Sequence, residues 1–362
     1  MNSVPRLEAL RTRLESDPRR AVLVRRAANV AYLTGFENVF DDEEAHAALV
    51  TSSDAWLYTD SRYAVAAQAA AYGTPWEVVV VRDNLHQAVC TGAERAGVSR
   101  LGVESSTSHG SFEAIAGAFN GTVESVSAWV EAIRCVKEPE EIGRIAEAQR
   151  LTDRAFDYVV GLLRVGRAER DIALELEFYM RKEGSEGVAF APIVASGPNS
   201  ALPHAKVTSR QLQPGDFVKL DFGARVHGYC ADMTRTVVVG HATDRQIEIY
   251  QAVLAANLAG LAAVRGGVAG KAVDGAARHV IEERGFGERF AHGVGHGVGI
   301  EVHELPRVGP RAEESLLPGS VVTIEPGVYV PEYGGVRIED LVVVETDGAR
   351  VLTASPKDLL EV

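Results

Sequence analysis

Along the first 130 residues, short apolar runs bounded by turn residues alternate with longer amphipathic stretches. Residues 21–24 form one such run, and residues 48–51 and 55–58 form two more around Ser52-Ser53-Asp54, the pattern of a β-hairpin. An alanine-rich stretch at 61–71 predicts a helix. The pattern then predicts a strand at 76–81, a helix at 84–96, a strand at 101–104 and a helix at 111–119. This is an α/β pattern without a catalytic motif of its own. Lys137-Glu138-Pro139-Glu140-Glu141 opens a long helix with proline and acids in its first turn, where the missing N–H and the helix dipole favour them. The boundary is therefore expected near residue 130, giving domains 1–130 and 131–362.

The second domain repeats itself. Gly166 and Gly184 lie 18 apart and bracket a helix, as do Gly267 and Gly285. A longer helix precedes each, at about 138–163 and 244–264. Pro214-Gly215 is followed six residues after the glycine by Asp221, and Pro318-Gly319 is followed at the same distance by Glu325. Both halves thus read helix, helix, Pro-Gly turn, strand, acid, glycine. An α+β unit duplicated about a pseudo-two-fold axis would bring Asp221 and Glu325 to equivalent places.

The composition is that of a chain able to bury a large core: 362 residues, 46% hydrophobic and 24% charged. A net charge of −13 argues against nucleic acid or an anionic membrane as main partner. Three widely spaced cysteines, Cys90, Cys135 and Cys230, suggest neither a disulfide framework nor a zinc knuckle, and fit reduced thiols in a cytoplasmic protein. The first twenty residues are charged and lack a signal-type apolar core, and no apolar run is long enough to span a bilayer.

The chemistry concentrates in the second domain. Asp221 ends a strand-like run and Asp232 begins the return strand, so a hairpin would set the two face to face. Two bare aspartates that close repel or share a proton, and a cation between them removes the conflict. Glu325 ends a second buried-type run. Gly334-Gly335 marks a turn, and Glu339 returns with Arg337 on the same face, placed to hold a carboxylate. Alone, each pair also fits acids on an exposed hairpin. In His292-Gly293-Val294-Gly295-His296-Gly297-Val298-Gly299, glycine at every second position excludes a stable helix and lets backbone or substrate approach closely. The helical HExxH zinc motif is absent, and a flexible glycine loop with incidental histidines is the plain alternative. Four carboxylates, Asp221, Asp232, Glu325 and Glu339, would balance two divalent cations, and one imidazole, His296, among oxygen ligands suits manganese, cobalt, iron or zinc.

Taken together, Asp221-Phe222-Gly223, Asp232-Met233-Thr234-Arg235-Thr236, the run from His292 to Gly299, Thr323-Ile324-Glu325-Pro326-Gly327 and Arg337-Ile338-Glu339-Asp340 resemble the M24 metallopeptidases. The first domain resembles the creatinase-like N-terminal domain more loosely, through residues 32–36 and 59–63. The resemblance implies an α/β creatinase-like domain followed by an α+β pita-bread domain with internal duplication. It implies two divalent ions, manganese first among the candidates, held by Asp221, Asp232, His296, Glu325 and Glu339, with Asp232 and Glu339 bridging. Glu325 would be the proton acceptor, His204, His292 and His303 would face the substrate, and Arg337 and Tyr329 would support the site. The expected activity is Xaa-Pro aminopeptidase, on proline-containing peptides and in a homodimer. The alternatives are an Xaa-Pro dipeptidase (prolidase), a non-peptidase metal enzyme of the same fold, or a catalytically dead scaffold.

Overall fold

The computed structural model describes residues 2–37, 39–41 and 45–362. The chain divides into two compact units, Met1–Arg134 and Cys135–Val362.

The first unit is a six-stranded mixed sheet with helices between its strands. Helix α1 (Val4–Arg11) leads into β1 (Arg20–Val24), followed by α2 (Ala27–Thr34), β2 (Ala47–Val50), β3 (Ala55–Thr59), α3 (Ala64–Ala71), β4 (Glu77–Val80), α4 (Leu85–Arg95), β5 (Arg100–Glu104), α5 (His109–Ala118), β6 (Thr122–Val126) and α6 (Trp129–Arg134). The sheet order is β4-β3-β2-β1-β5-β6. The hairpin expected around Ser52-Ser53-Asp54 joins β2 to β3, closed by the Thr51 amide on the Asp54 carbonyl at 3.0 Å. Each of the other segments expected to be strand or helix forms the element anticipated, with ends shifted by a few residues. Leu23, Leu49, Leu101, Val103 and Ile115 fill the core between the sheet and its helices.

The second unit contains the duplication. Helices α7 (Pro139–Val160) and α8 (Glu169–Lys182) lead into β7 (Gly187–Val188), β8 (Ile193–Ser196), a 3₁₀ turn (Gly197–Ala201), β9 (Phe217–Phe222), β10 (Ala224–Val226), β11 (Tyr229–Cys230) and β12 (Met233–Val238). Helices α9 (Asp244–Ala263) and α10 (Gly270–Glu283) lead into β13 (Gly295–Gly297), β14 (Glu304–Val308), β15 (Val321–Ile324), β16 (Gly327–Val330), β17 (Gly334–Arg337), β18 (Asp340–Val344) and β19 (Ala349–Val351). The long helix α7 starts as its sequence dictates: Glu138 and Glu141 form a reciprocal capping box, with Pro139 in the first turn.

The two halves match in detail. Gly166 and Gly267 follow the first helix of each half with φ of 88° and 83°, and their amides donate to Leu212 and Leu316. Isolated bridges Ala168–Gln211 and Ala269–Ser315 then tie each helix start to its own turn segment. Gly215 and Gly319, at φ 81° and 92°, turn the chain into β9 and β15, the strands that deliver Asp221 and Glu325. Each half packs its helix pair on its own sheet. Phe156, Ile172 and Leu176 lie against Val194, Leu220 and Met233 in one, and Val253, Ala256 and Ile281 against Val322, Ile324 and Val342 in the other. Each such side chain contributes about 1.5–3 kcal/mol on burial.

Two local expectations are corrected. Asp221 pairs with Thr234, not with Asp232. A Cβ on Gly223 would lie 1.8 Å from the Ala231 carbonyl oxygen, so the chain reverses tightly there. Residues 224–230 form a separate small hairpin turning at His227-Gly228, and Asp232 is left just before β12. Gly334-Gly335 is not the turn either. Residues 331–333 make it, with Glu332 at φ 63°, and the two glycines start β17. Their role is close approach: a Cβ on Gly335 would sit 2.4 Å from the Ser200 carbonyl oxygen.

Candidate metal centre

Strand ends and strand pairing set the site. Asp221 is on β9, Asp232 precedes β12, His296 is on β13, Glu325 follows β15 and Glu339 precedes β18. The pairing of Ile324 with Asp340 places Glu325 and Glu339 just beyond the end of the β15–β18 ladder. Asn257, fully buried on α9, donates to the Ile324 and Ile338 carbonyls at 2.9 and 3.3 Å and so fixes both backbones just before the glutamates.

The glycine run does what its spacing implies. Cβ atoms on Gly295 and Gly297 would lie 2.0 Å from the Thr323 carbonyl oxygen and 2.2 Å from that of Leu305. Only glycine lets β13 lie between its neighbours this closely. The His296 amide donates to Thr323 Oγ1 at 3.1 Å, and that hydroxyl lies 3.1 Å from Glu325 Oε1. One threonine thereby sets the register of two site residues.

Ligand-type atoms of Asp232, His296 and Glu339 all lie within 4.8 Å of one another. His296 Nε2 is 3.6 Å from Asp232 Oδ2 and 3.2 Å from Glu325 Oε1. Asp221 joins through Arg337, whose Nη2 donates to Asp221 Oδ2 and whose Nε lies 3.8 Å from Glu325 Oε2. Arg337 Nε donates to Thr234 Oγ1 at 2.9 Å, and that hydroxyl donates to Glu339 Oε2 at 2.6 Å. Thr234 stands in the aspartate motif, yet its role is invisible without the cross-strand register.

The electrostatics are those of crowded acids. Burial, then the Glu339 charge, raises Asp232 well above the usual aspartate range. Burial, then Glu325, raises Glu339 to about 8. Burial also raises Asp221, opposed chiefly by Arg337. For Glu325, burial is outweighed by the hydrogen bond and charge of His296, with Arg337 and His292, and its pKa falls to about 2. Arg337 adds one positive charge beside the four carboxylates, so the set with two divalent cations would carry a net positive charge where the ligands alone would be neutral. Glu339 Oε1 is buried and has no hydrogen-bond partner among the described residues. An orphaned carboxylate oxygen beside an imidazole and a second carboxylate fits a cation-binding set.

Of the accessory residues, His292 Nε2 and Arg337 Nη1 both bond the Tyr329 hydroxyl, at 2.9 and 3.0 Å. The His303 ring packs edge-on against His296 with centroids 4.3 Å apart. His204 is exposed on the turn after the 3₁₀ segment. Sequence reasoning missed Thr234, Thr323 and Asn257, none of which stands out by residue type.

A sequence model of metallopeptidase family M24 matches residues 143–346, more than half of the chain. The chain belongs to this family. A creatinase/prolidase N-terminal domain model matches residues 6–136 of this M24 member. The M24 chain is 36% identical to the Xaa-Pro dipeptidase of Pyrococcus horikoshii, over 94% of each sequence. The solved Xaa-Pro dipeptidase of Bacillus anthracis superposes with a TM-score of 0.94 at 36% identity, covering 100% of both chains. An X-Pro aminopeptidase from Thermotoga maritima gives a TM-score of 0.86 at 36% identity, covering 95% of this chain and 97% of its own. The fold is therefore the creatinase-type N-terminal domain with the M24 pita-bread domain. Relatives named as dipeptidases support the prolidase alternative better than the aminopeptidase activity first expected. Among the described residues, no helix is long and apolar enough to cross a membrane.

Proposed function

We propose that this M24 protein is a dinuclear metal-dependent Xaa-Pro dipeptidase. The observation that carries the reading is the convergence of Asp232, His296 and Glu339, with Glu339 Oε1 buried and unpartnered, inside the segment matched by the M24 family. Asp221, Asp232, His296, Glu325 and Glu339 would hold two divalent cations, manganese first. When bound, such cations supply Lewis acidity and a water of lowered pKa.

The protein's own groups then have assignable tasks. Glu325, 3.2 Å from His296 Nε2 and 3.8 Å from Arg337 Nε, would be the proton acceptor at its carboxylate. His292 is held by its Nε2 bond to the Tyr329 hydroxyl, and burial lowers its pKa, so a neutral ring presents itself to the substrate. His303 and His204, both exposed, would touch the peptide, and donors that meet developing negative charge typically matter by about 10²–10³ in rate. Arg337 orients Asp221 and, through Thr234, Glu339. A cytoplasmic homodimer completes the proposal. The three free cysteines support a reducing compartment, and the dimer rests on resemblance to the family.

The reading is tested by stripping the purified protein of metal, reloading it with manganese, cobalt or zinc, and assaying Xaa-Pro dipeptides. The expected result is turnover that appears with metal and disappears with chelator. Absence of turnover with all three metals would overturn it.

A further inference from the structure

Lys219 is fully buried on β9, two residues before Asp221, and none of the roles above uses it. Its Nζ donates to three backbone carbonyls: Ser200 at 3.3 Å, Leu202 at 2.6 Å and Pro203 at 3.1 Å. These carbonyls close the 3₁₀ turn and lead directly into His204. Carbonyls at the end of a helical turn lack partners within it, and the Lys219 amine lies within hydrogen-bond reach of all three. The same Nζ lies 5.1 Å from the centre of the Tyr329 ring, and the Tyr329 hydroxyl bonds His292 Nε2. One amine therefore touches the supports of two histidines at once.

The surroundings show that this turn is held rather than free. Arg337 Nη1 donates to the Pro203 carbonyl at 3.1 Å. The Gly335 amide donates to Ser200 Oγ at 2.9 Å. Glu169, fully buried on α8, accepts from Asn199 Nδ2 and from the Thr208 amide and hydroxyl, fastening both flanks of the turn. Leu202 and His204 stay exposed while the carbonyls beneath them meet the buried Lys219 amine and Arg337 guanidinium. An apolar residue at 219 would fill the strand position equally well. It would leave the Ser200 and Leu202 carbonyls facing no donor and the Pro203 carbonyl with Arg337 alone, and the turn would relax to find water.

We propose that Lys219 is a positioning residue for substrate binding: by fixing the Ser200, Leu202 and Pro203 carbonyls and packing on Tyr329, it sets where His204 and His292 stand against an Xaa-Pro substrate. This rests on the dipeptidase reading above. Because Lys219 is buried, its influence passes through the turn and the tyrosine and not through contact with the peptide.

The test compares full-length, manganese-loaded wild type with Lys219→Met, which removes the donors, and Lys219→Gln, which keeps an NH₂ group. Each is measured for steady-state kinetics on an Xaa-Pro dipeptide, metal content, and amide hydrogen exchange at residues 200–205. In Lys219→Met the expected result is a KM raised about tenfold with kcat changed far less. Exchange at 200–205 should accelerate while metal content stays at the wild-type level, and Lys219→Gln should fall between the two. Wild-type KM and wild-type exchange in a folded variant would overturn the proposal, as would loss of metal accompanied by a fall in kcat alone. If Lys219→Met does not fold, Lys219→Gln decides by the same readings. If wild type itself hydrolyses no Xaa-Pro peptide, the dipeptidase reading fails, and unchanged exchange would then separately refute the anchoring role.

Discussion

Arg337 shows how much a single residue gains from the fold. In the sequence it is one basic residue two positions before Glu339. In the structure it joins Asp221, Thr234, Tyr329 and the Pro203 carbonyl, and lies 3.8 Å from Glu325. Removing a buried cation leaves its carboxylate partner uncompensated, which costs about 3–5 kcal/mol. Arg337→Met is therefore expected to lower the metal-free unfolding free energy by about that amount, read from a denaturant titration. In the loaded protein it should lower kcat/KM by about 10–100-fold, as loss of a ligand-orienting partner does. Unchanged stability would mean that Asp221 does not depend on this ion pair. All five candidate ligands were legible from residue type and motif. Thr234 and Thr323 were not, because a threonine on a strand is ordinary until register places its hydroxyl between two charged groups.

At the scale of elements, glycine separates structural from incidental positions. Gly295 lets β13 lie against Thr323, whereas Gly275, inside helix α10, has open space where a Cβ would go. Gly295→Ala is expected to displace the strand that carries His296, to weaken manganese binding in a calorimetric titration and to destabilise the fold by about 1–3 kcal/mol. Gly275→Ala should leave binding unchanged and stabilise by about 0.5–1 kcal/mol, since alanine suits a helix interior better. Similar manganese affinities in the two variants would contradict this account of β13. The strands and helices themselves were readable from periodicity, as the β2–β3 hairpin and the capped start of α7 show. Two pairings were misread: Asp221 meets Thr234, and Gly334-Gly335 meets the 3₁₀ turn instead of making one. Both errors come from close backbone approach, of Gly223 to nearby Ala231 and of Gly335 to distant Ser200, which leaves only an ambiguous glycine in the sequence.

Across the whole molecule, the duplication explains why an acidic site is built where the two halves deliver their equivalent strands. Asp221 and Glu325 sit at corresponding places after Gly215 and Gly319, and the remaining ligands come from the neighbouring strands. Three buried carboxylates, Asp221, Asp232 and Glu339, crowd around one arginine and oppose folding until cations neutralise them. Manganese should therefore raise the unfolding temperature, with about 2.7 kcal/mol of added stability at one hundred times its Kd, and a chelator should reverse the shift. A thermal midpoint indifferent to manganese and chelator would remove the metal site from the account. The duplication was visible in the spacing of glycines and Pro-Gly turns. The preference for a dipeptide over a longer peptide was not, because it depends on how much room surrounds the end of the substrate.

That preference decides the central claim. Turnover of an Xaa-Pro dipeptide and of the matching Xaa-Pro-Yaa tripeptide, measured side by side with the same manganese-loaded protein, tests it directly. A dipeptidase cleaves the dipeptide efficiently and the tripeptide poorly or not at all, and this is the predicted result. Efficient cleavage of the tripeptide with little or no turnover of the dipeptide would contradict it and restore the aminopeptidase reading.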